Sequence, residues 1–307
     1  MNNNVIRKKS VILVLMSILL STLFLSGCTN TSNNEDRLSV VVTIIPQEEM
    51  VKEIGGNYVD VSVMVPAGES PHSYEPTPEQ IIEISQSAAY FTVGSGVEFE
   101  LTHLDTIMEQ NRELTIYDCS KNIDVLSFDQ HYGQKNYQKT QEKDQGGTDP
   151  HIWTSPINYK KMATVVLDAL IELDPSHQEV FNQNYQDYIT EIDALHENIS
   201  SLLSPYKGNS FMVYHPSWGY FGDTYQLKQI AIEDEGKQPG PTGIAAIIDQ
   251  AKNKSISVIF VSPQFDTSSA ETIAQEIGGE VASVNPLMTD YRETLQTLAA
   301  TLVNGYS

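Results

Sequence analysis

Residues 176–203 read SHQEVFNQNYQDYITEIDALHENISSLL. Apolar side chains fall at Val180, Phe181, Tyr185, Tyr188, Ile189, Ile192, Leu195, Ile199, Leu202 and Leu203. That spacing keeps one helical face apolar for about seven turns. At ~1.5 Å per residue such a helix is ~42 Å long, enough to run across two lobes. Pro175 separates it from a helix predicted over Pro156–Leu173, because the residue before a proline is pushed out of the helical region.

On both sides of this helix the pattern alternates between strand and helix. Before it come strands at Leu38–Ile45, Val59–Val65, Ala88–Val93 and Leu114–Tyr117, with helices at Gln47–Ile54, Pro78–Ser87 and Phe99–Gln110. After Pro205 come strands at Phe211–Tyr214, Leu227–Ala231, Val258–Val261 and Val281–Val284. Helices near Trp218–Tyr225 and at Pro241–Lys252, Ser268–Ile277 and Thr289–Asn304 separate and follow these strands. Short β-branched runs alternating with helices argue for parallel sheets. The reading is α/β: two similar lobes with mostly parallel sheets joined by a long rigid linking helix. The boundaries predicted are 38–175 for the first lobe, 176–204 for the linking helix and 205–307 for the second. Ligands in open α/β sheets bind at the carboxyl ends of strands, which places a site in the cleft between the lobes.

The chain has 307 residues, 18 of them basic and 40 acidic, for a net charge of −22. So few cations argue against a nucleic-acid partner, whose affinity comes largely from phosphate neutralisation. Residues 1–27 read as a secretory signal peptide: Arg7, Lys8 and Lys9 precede an apolar run from Val11 to Leu25. That run is short for a membrane span, which needs ~20 residues. It ends in Leu25-Ser26-Gly27-Cys28, similar to a prokaryotic lipobox. Cleavage there and lipidation of Cys28 would leave 15 basic and 40 acidic residues on 280, with 28–37 as a tether. Cys119 then has no partner in the chain and reads as a buried small hydrophobe. The segment 129–149 is polar and glutamine-rich and reads as a loop.

Of seven histidines, His72, His151 and His215 share a context. Each lies in a proline-flanked junction between a strand or helix and a loop. They either form one site or merely hydrogen-bond backbone. His103, His177 and His196 fall on helices among polar neighbours, and His131 falls in the loop.

Six segments carry a resemblance. They are PHSYEPTPEQ (71–80), DPHIWTSP (149–156), VYHPSWGYFGDTYQLKQIAI (213–232), VIFVSPQ (258–264), ETIAQEIG (271–278) and NPLMTDY (285–291). In this order and spacing the chain, over nearly all of 38–307, resembles the zinc/manganese-type substrate-binding lipoproteins of ABC importers (cluster A-I). The resemblance implies metal ligands at His72, His151 and His215. It also implies an extracytoplasmic, lipid-anchored, monomeric binding protein partnered by an ABC permease and ATPase subunits, and not an enzyme. Histidine at the third position points to Zn²⁺ as the transported ligand, where manganese-type members carry Glu; imidazole suits zinc on chemical grounds too. Manganese or iron binding is the alternative within the class.

The chain departs from the family at Asn285, where many members place an aspartate that supplies a fourth ligand. Asp290 is the candidate substitute if its loop bends inward. Otherwise Asp290 is a first-turn acid of the last helix, and water fills the position. Glu75 is read as either a solvated loop residue or an orienting partner of an imidazole. Trp153, Trp218, Tyr220 and Phe221 are read as core, and Asp223, Glu233, Asp234 and Glu235 as surface charge. A zinc hydrolase with Glu75 as base is the rival class. No GxSxG, P-loop or complete GxGxxG supports it, since Gly94-Ser95-Gly96 lacks the third glycine. An adhesin role would be an addition to the same metal site. Imidazole must be neutral to bind, so affinity is expected to fall below pH ~6.5.

Overall fold

A computed structural model describes residues 37–127, 147–233 and 236–306. The leader 1–27, Cys28, most of the tether, His131 with the greater part of the 129–149 loop, and Asp234 and Glu235 lie outside them.

The first half comprises β1 (Leu38–Val42), α1 (Ile45–Gly55), β2 (Val59–Val63), α2 (Pro78–Ile84), β3 (Ala89–Thr92), α3 (Glu98–Gln110) and β4 (Thr115–Asp118). All four strands are parallel, in the order β2-β1-β3-β4. β3 is buried along its whole length, as a strand covered on both faces must be. β1 ends three residues before the predicted limit. The buried Gln47 side chain takes the backbone N–H groups of Thr43 and Ile44 onto its Oε1 (3.1 and 3.2 Å), and Pro46 sits in the first turn of the helix.

Two helices follow, α4 (Pro156–Leu173) and α5 (Gln178–Leu203), with a short 3₁₀ turn at Pro175–His177 between them. α5 buries Phe181, Tyr188, Ile192, Leu195, Ile199 and Leu203. Val180 and Leu202, expected on that face, are exposed at its margins. The helix packs against α1 and α4 from the first half and against the last helix of the second.

The second half repeats the first: β5 (Ser210–Val213), α6 (Gly219–Tyr225), β6 (Lys228–Ala231), α7 (Pro241–Asn253), β7 (Val258–Val261), α8 (Ser268–Ile277), β8 (Glu280–Ser283) and α9 (Tyr291–Tyr306). Its sheet is also wholly parallel, ordered β6-β5-β7-β8. In each sheet the strand order reverses once, between β1 and β3 and between β5 and β7, which creates a switch-point crevice at the carboxyl ends. No helix among the described residues is long and apolar enough to cross a membrane.

One apolar core runs from β1 and β3 through α4 and α5 to Phe211, Phe260 and Leu302. A smaller cluster around Met212, Ile259 and Ile273 serves the second sheet alone. Cys119 is buried and accepts from Gln47 Nε2 at 3.7 Å; burial pushes its thiol far above the usual range.

Buried polar groups clasp the halves together. Trp153 Nε1 donates to the Pro286 carbonyl at 2.7 Å, and Tyr291 Oη donates to the Trp153 carbonyl at 2.8 Å. Tyr159 stacks on Tyr291 with ring centroids 3.7 Å apart. Glu49 in α1 accepts the Tyr291 backbone N–H at 2.9 Å, so it caps α9 across the junction, and it also accepts from Tyr188 Oη at 3.1 Å. Glu49→Ala leaves the Tyr291 N–H without its acceptor, while Tyr188 Oη keeps Tyr159 Oη at 3.0 Å, and is expected to cost about 1–3 kcal/mol in urea denaturation. Glu48→Ala, which removes a surface pair with Lys52, is expected to cost no more than ~0.5 kcal/mol in the same measurement.

Candidate metal centre

Three segments deliver the three singled-out histidines to one point. His72 sits in a tight turn after β2, where Ser73 and Tyr74 donate to the Ser70 carbonyl (3.1 and 3.0 Å). The first turn of α3 holds this loop, since the Phe99 N–H donates to the Pro71 carbonyl at 3.0 Å. His151 follows an Asx turn in which Asp149 Oδ1 accepts the His151 N–H at 2.9 Å. His215 follows β5 at the switch point, and Phe265, just beyond β7, stacks on its ring with centroids 4.4 Å apart.

Each imidazole has a carboxylate on Nδ1. Glu98 lies 2.6 Å from His72, Asp149 lies 2.8 Å from His151, and Glu233 lies 2.6 Å from His215. With Nδ1 donating to a carboxylate, the tautomer is fixed and each Nε2 carries a lone pair. One ligand atom from each histidine lies within 4.8 Å of the others. The Nε2 atoms of His151 and His215 are 3.3 Å apart. Two lone pairs at that distance repel unless something positive sits between them. Zinc–nitrogen bonds of about 2.0–2.1 Å at tetrahedral angles put neighbouring ligand nitrogens about 3.3–3.4 Å apart. The His151–His215 spacing therefore fits one ion between these two rings, with a ligand atom of His72 within 4.8 Å of both. Burial lowers the His215 pKa to about 4, so this ring is neutral over most of the acidic range. The fall in affinity expected below pH ~6.5 therefore does not begin at His215. Burial pushes the Glu98 carboxyl up, but hydrogen bonding, that of His72 first, outweighs it and holds it below the ordinary range.

Several expectations change. Glu233 is not surface charge: its side chain is 3% exposed and orients His215. Asp290 does not join the histidines. It is exposed, and its Oδ1 accepts the Glu293 N–H at 2.8 Å, closing the first turn of α9. Its loop does not bend inward because the helix start claims the carboxylate. Glu75 is solvated, 3.5 Å from His103 Nε2 rather than beside His72. Asn285 turns inward on its own loop, accepting from Leu287 N–H (2.9 Å) and Gln264 Nε2 (3.0 Å). Trp153, Trp218, Tyr220 and Phe221 are buried as expected, Asp223 is exposed, and Trp153 also lines the cleft. His177 pairs with Asp174 and stacks on Tyr58, and His196 lies 3.2 Å from Tyr225 Oη; both act within the scaffold.

Glu98, Asp149 and Glu233 form a set that the sequence does not reveal. Asp149 was the most legible, because Asp two residues before a loop histidine is an Asx-turn signature. Glu233 follows β6, the strand paired with β5, so topology places it beside His215. For Glu98 no local signal exists.

The family described as zinc-uptake complex component A, periplasmic (ZnuA), matches residues 40–305. The chain belongs to this family. Among curated relatives, the zinc-binding lipoprotein AdcA of Streptococcus pneumoniae is 26% identical over 91% of this chain. The match spans only 55% of AdcA, so the chain covers about half that relative's length. The manganese-binding lipoprotein MntA of Halalkalibacterium halodurans is also 26% identical, over 86% of this chain and 85% of its own. A solved structure of a ZnuA deletion mutant with zinc bound superposes with TM-score 0.78 at 34% identity, covering 89% of this chain and 99% of that one.

In this ZnuA-family chain a further buried carboxylate supports the site from behind. Glu100 accepts the Val93 and Gly94 N–H groups (2.6 and 2.9 Å) and the Thr43 hydroxyl. It fixes the turn from which Ser95 Oγ donates to the Pro150 carbonyl at 2.5 Å, next to His151. Gly94 has φ +78°, and a Cβ there would lie 1.8 Å from Asp118 Oδ1, so the turn requires glycine. Burial raises the Glu100 pKa from 4.5 to about 7. Between those values the native state binds the proton and the unfolded state does not. This group's contribution to stability is therefore full below pH 4.5, declines as pH rises to about 7 and is flat above it. The Tm of metal-free Glu100→Gln minus that of wild type is expected to rise from pH 4.5 to 7, the range of the shifted group, in a calorimetric pH series.

Proposed function

We propose that this protein captures Zn²⁺ outside the cytoplasmic membrane with His72, His151 and His215 and delivers it to an ABC importer. A permease and ATPase subunits would complete the importer. On this reading the chain is a monomeric binding protein tethered through lipid on Cys28, with the membrane as its second partner. The observation that carries the reading is the set of three inward Nε2 lone pairs, each backed by its own carboxylate. The zinc named for AdcA and for the solved ZnuA mutant agrees with it.

Relatives named for zinc and for manganese are equally identical to this chain, so names do not choose the metal. The donor set does. Three imidazoles, with the nearby carboxylates turned to Nδ1, favour zinc over the harder manganese ion. Glu98, Asp149 and Glu233 balance the dication without ligating it. A hydrolase would need a carboxylate free to act as base; these three are engaged, and Glu75 lies elsewhere. α5 packs on both halves, so loading is expected to move loops more than lobes.

Elemental analysis and competitive chelator titration test the reading. The purified chain is expected to hold one zinc, and His215→Ala is expected to lose it or bind far more weakly. Glu233→Gln, which keeps the shape but weakens the imidazole's partner, is expected to reduce affinity about 10–100-fold. Manganese in place of zinc would overturn the metal assignment. Absence of affinity for any divalent ion would overturn the reading.

A further inference from the structure

Three nitrogen ligands leave one position of a tetrahedral zinc ion to fill. The structure offers a group for it that the sequence did not suggest. Gln264 follows β7, one residue before the phenylalanine stacked on His215, and lines the cleft with the three histidines. Its orientation is settled by its neighbour. Asn285 Oδ1 accepts the Leu287 backbone N–H at 2.9 Å while Asn285 Nδ2 donates to the Leu287 carbonyl at 3.0 Å, so the oxygen of that amide is fixed. Gln264 must then present its amino group to Asn285 Oδ1, as it does at 3.0 Å. Its own Oε1 is left buried, with no hydrogen-bond partner among the described residues. The other such side-chain atoms belong to Tyr117, Gln229 and Tyr306, none of which lines this cleft.

A buried amide oxygen without a donor is costly, so its persistence asks for one. A zinc-bound water is a strong donor, because the ion polarises its O–H bonds. The carboxylates around the site already serve the imidazoles. We propose that Gln264 Oε1 accepts a hydrogen bond from the water that completes the coordination of the captured ion. Gln264 is then a positioning residue for the cargo, held in aim by Asn285. The proposal rests on the zinc-capture reading. It gives the Asn285 departure a meaning: the family's anionic ligand is replaced by a neutral amide pair that anchors a water.

The test compares Gln264→Met and Gln264→Glu with wild type in zinc titration against a competing chelator and in the visible spectrum of the Co²⁺-loaded proteins. Both variants lose the donor to Asn285, but only Gln264→Met loses the oxygen acceptor. Gln264→Met is expected to bind zinc about 10–100-fold more weakly and to shift the cobalt bands. Gln264→Glu is expected to bind at least as tightly as wild type. Melting of the metal-free proteins reports any loss of folding separately. Equal losses in both variants, or wild-type affinity and spectrum in Gln264→Met, would overturn the proposal while zinc capture stands. Failure of wild type itself to bind zinc is the distinct result that removes the underlying reading.

Discussion

Everything at this site depends on how each imidazole spends its two nitrogens. A neutral histidine has one donor and one acceptor. Glu98, Asp149 and Glu233 take the donors, so three acceptors face one another in the cleft. That arrangement is what the zinc-capture proposal rests on. The carboxylates thus fix ring orientation, set the tautomer and supply negative charge in one stroke. They come from a helix start, a proline turn and a strand end, so a single local motif could not have produced them.

The scaffold that holds these groups is stiff for a two-lobed protein. Trp153 sits at the centre: it lines the cleft, donates across the junction to Pro286 and receives Tyr291 on its carbonyl. Tyr159 stacked on Tyr291, and Glu49 capping α9, extend the same clasp. The apolar core crosses the junction without interruption. A clamshell motion would break all of these at once. The loops carrying His72 and His151 depend instead on a few hydrogen bonds from α3 and Ser95.

The α/β repeats and the long helix were legible because hydrophobic period and β-branched runs report burial directly. His72, His151 and His215 could be singled out because each sits where a strand or helix meets a loop. Their convergence was not visible from spacing, since 79 and 64 residues separate them; the family resemblance supplied that link. Glu233 was misjudged because acidity reads as solvation unless the partner strand is known. Asp290 illustrates the reverse: a carboxylate near the site was claimed by a helix start, a local demand that outranked the distant one. Gln264 was invisible, since an amide's worth depends on which of its two ends is already occupied.

The wide separation of the three histidines along the chain has a thermodynamic side. On the zinc-capture proposal an ion held by all three would tie positions 72, 151 and 215 together, closing loops of 79 and 64 residues. In the unfolded chain, loops of that length would each cost ~4 kcal/mol of entropy to close. On that proposal the ion would act as a reversible staple, and its binding energy would also stabilise the native state by mass action. Release of the ion would then unfasten the staple and leave the metal-free chain the looser molecule of the two.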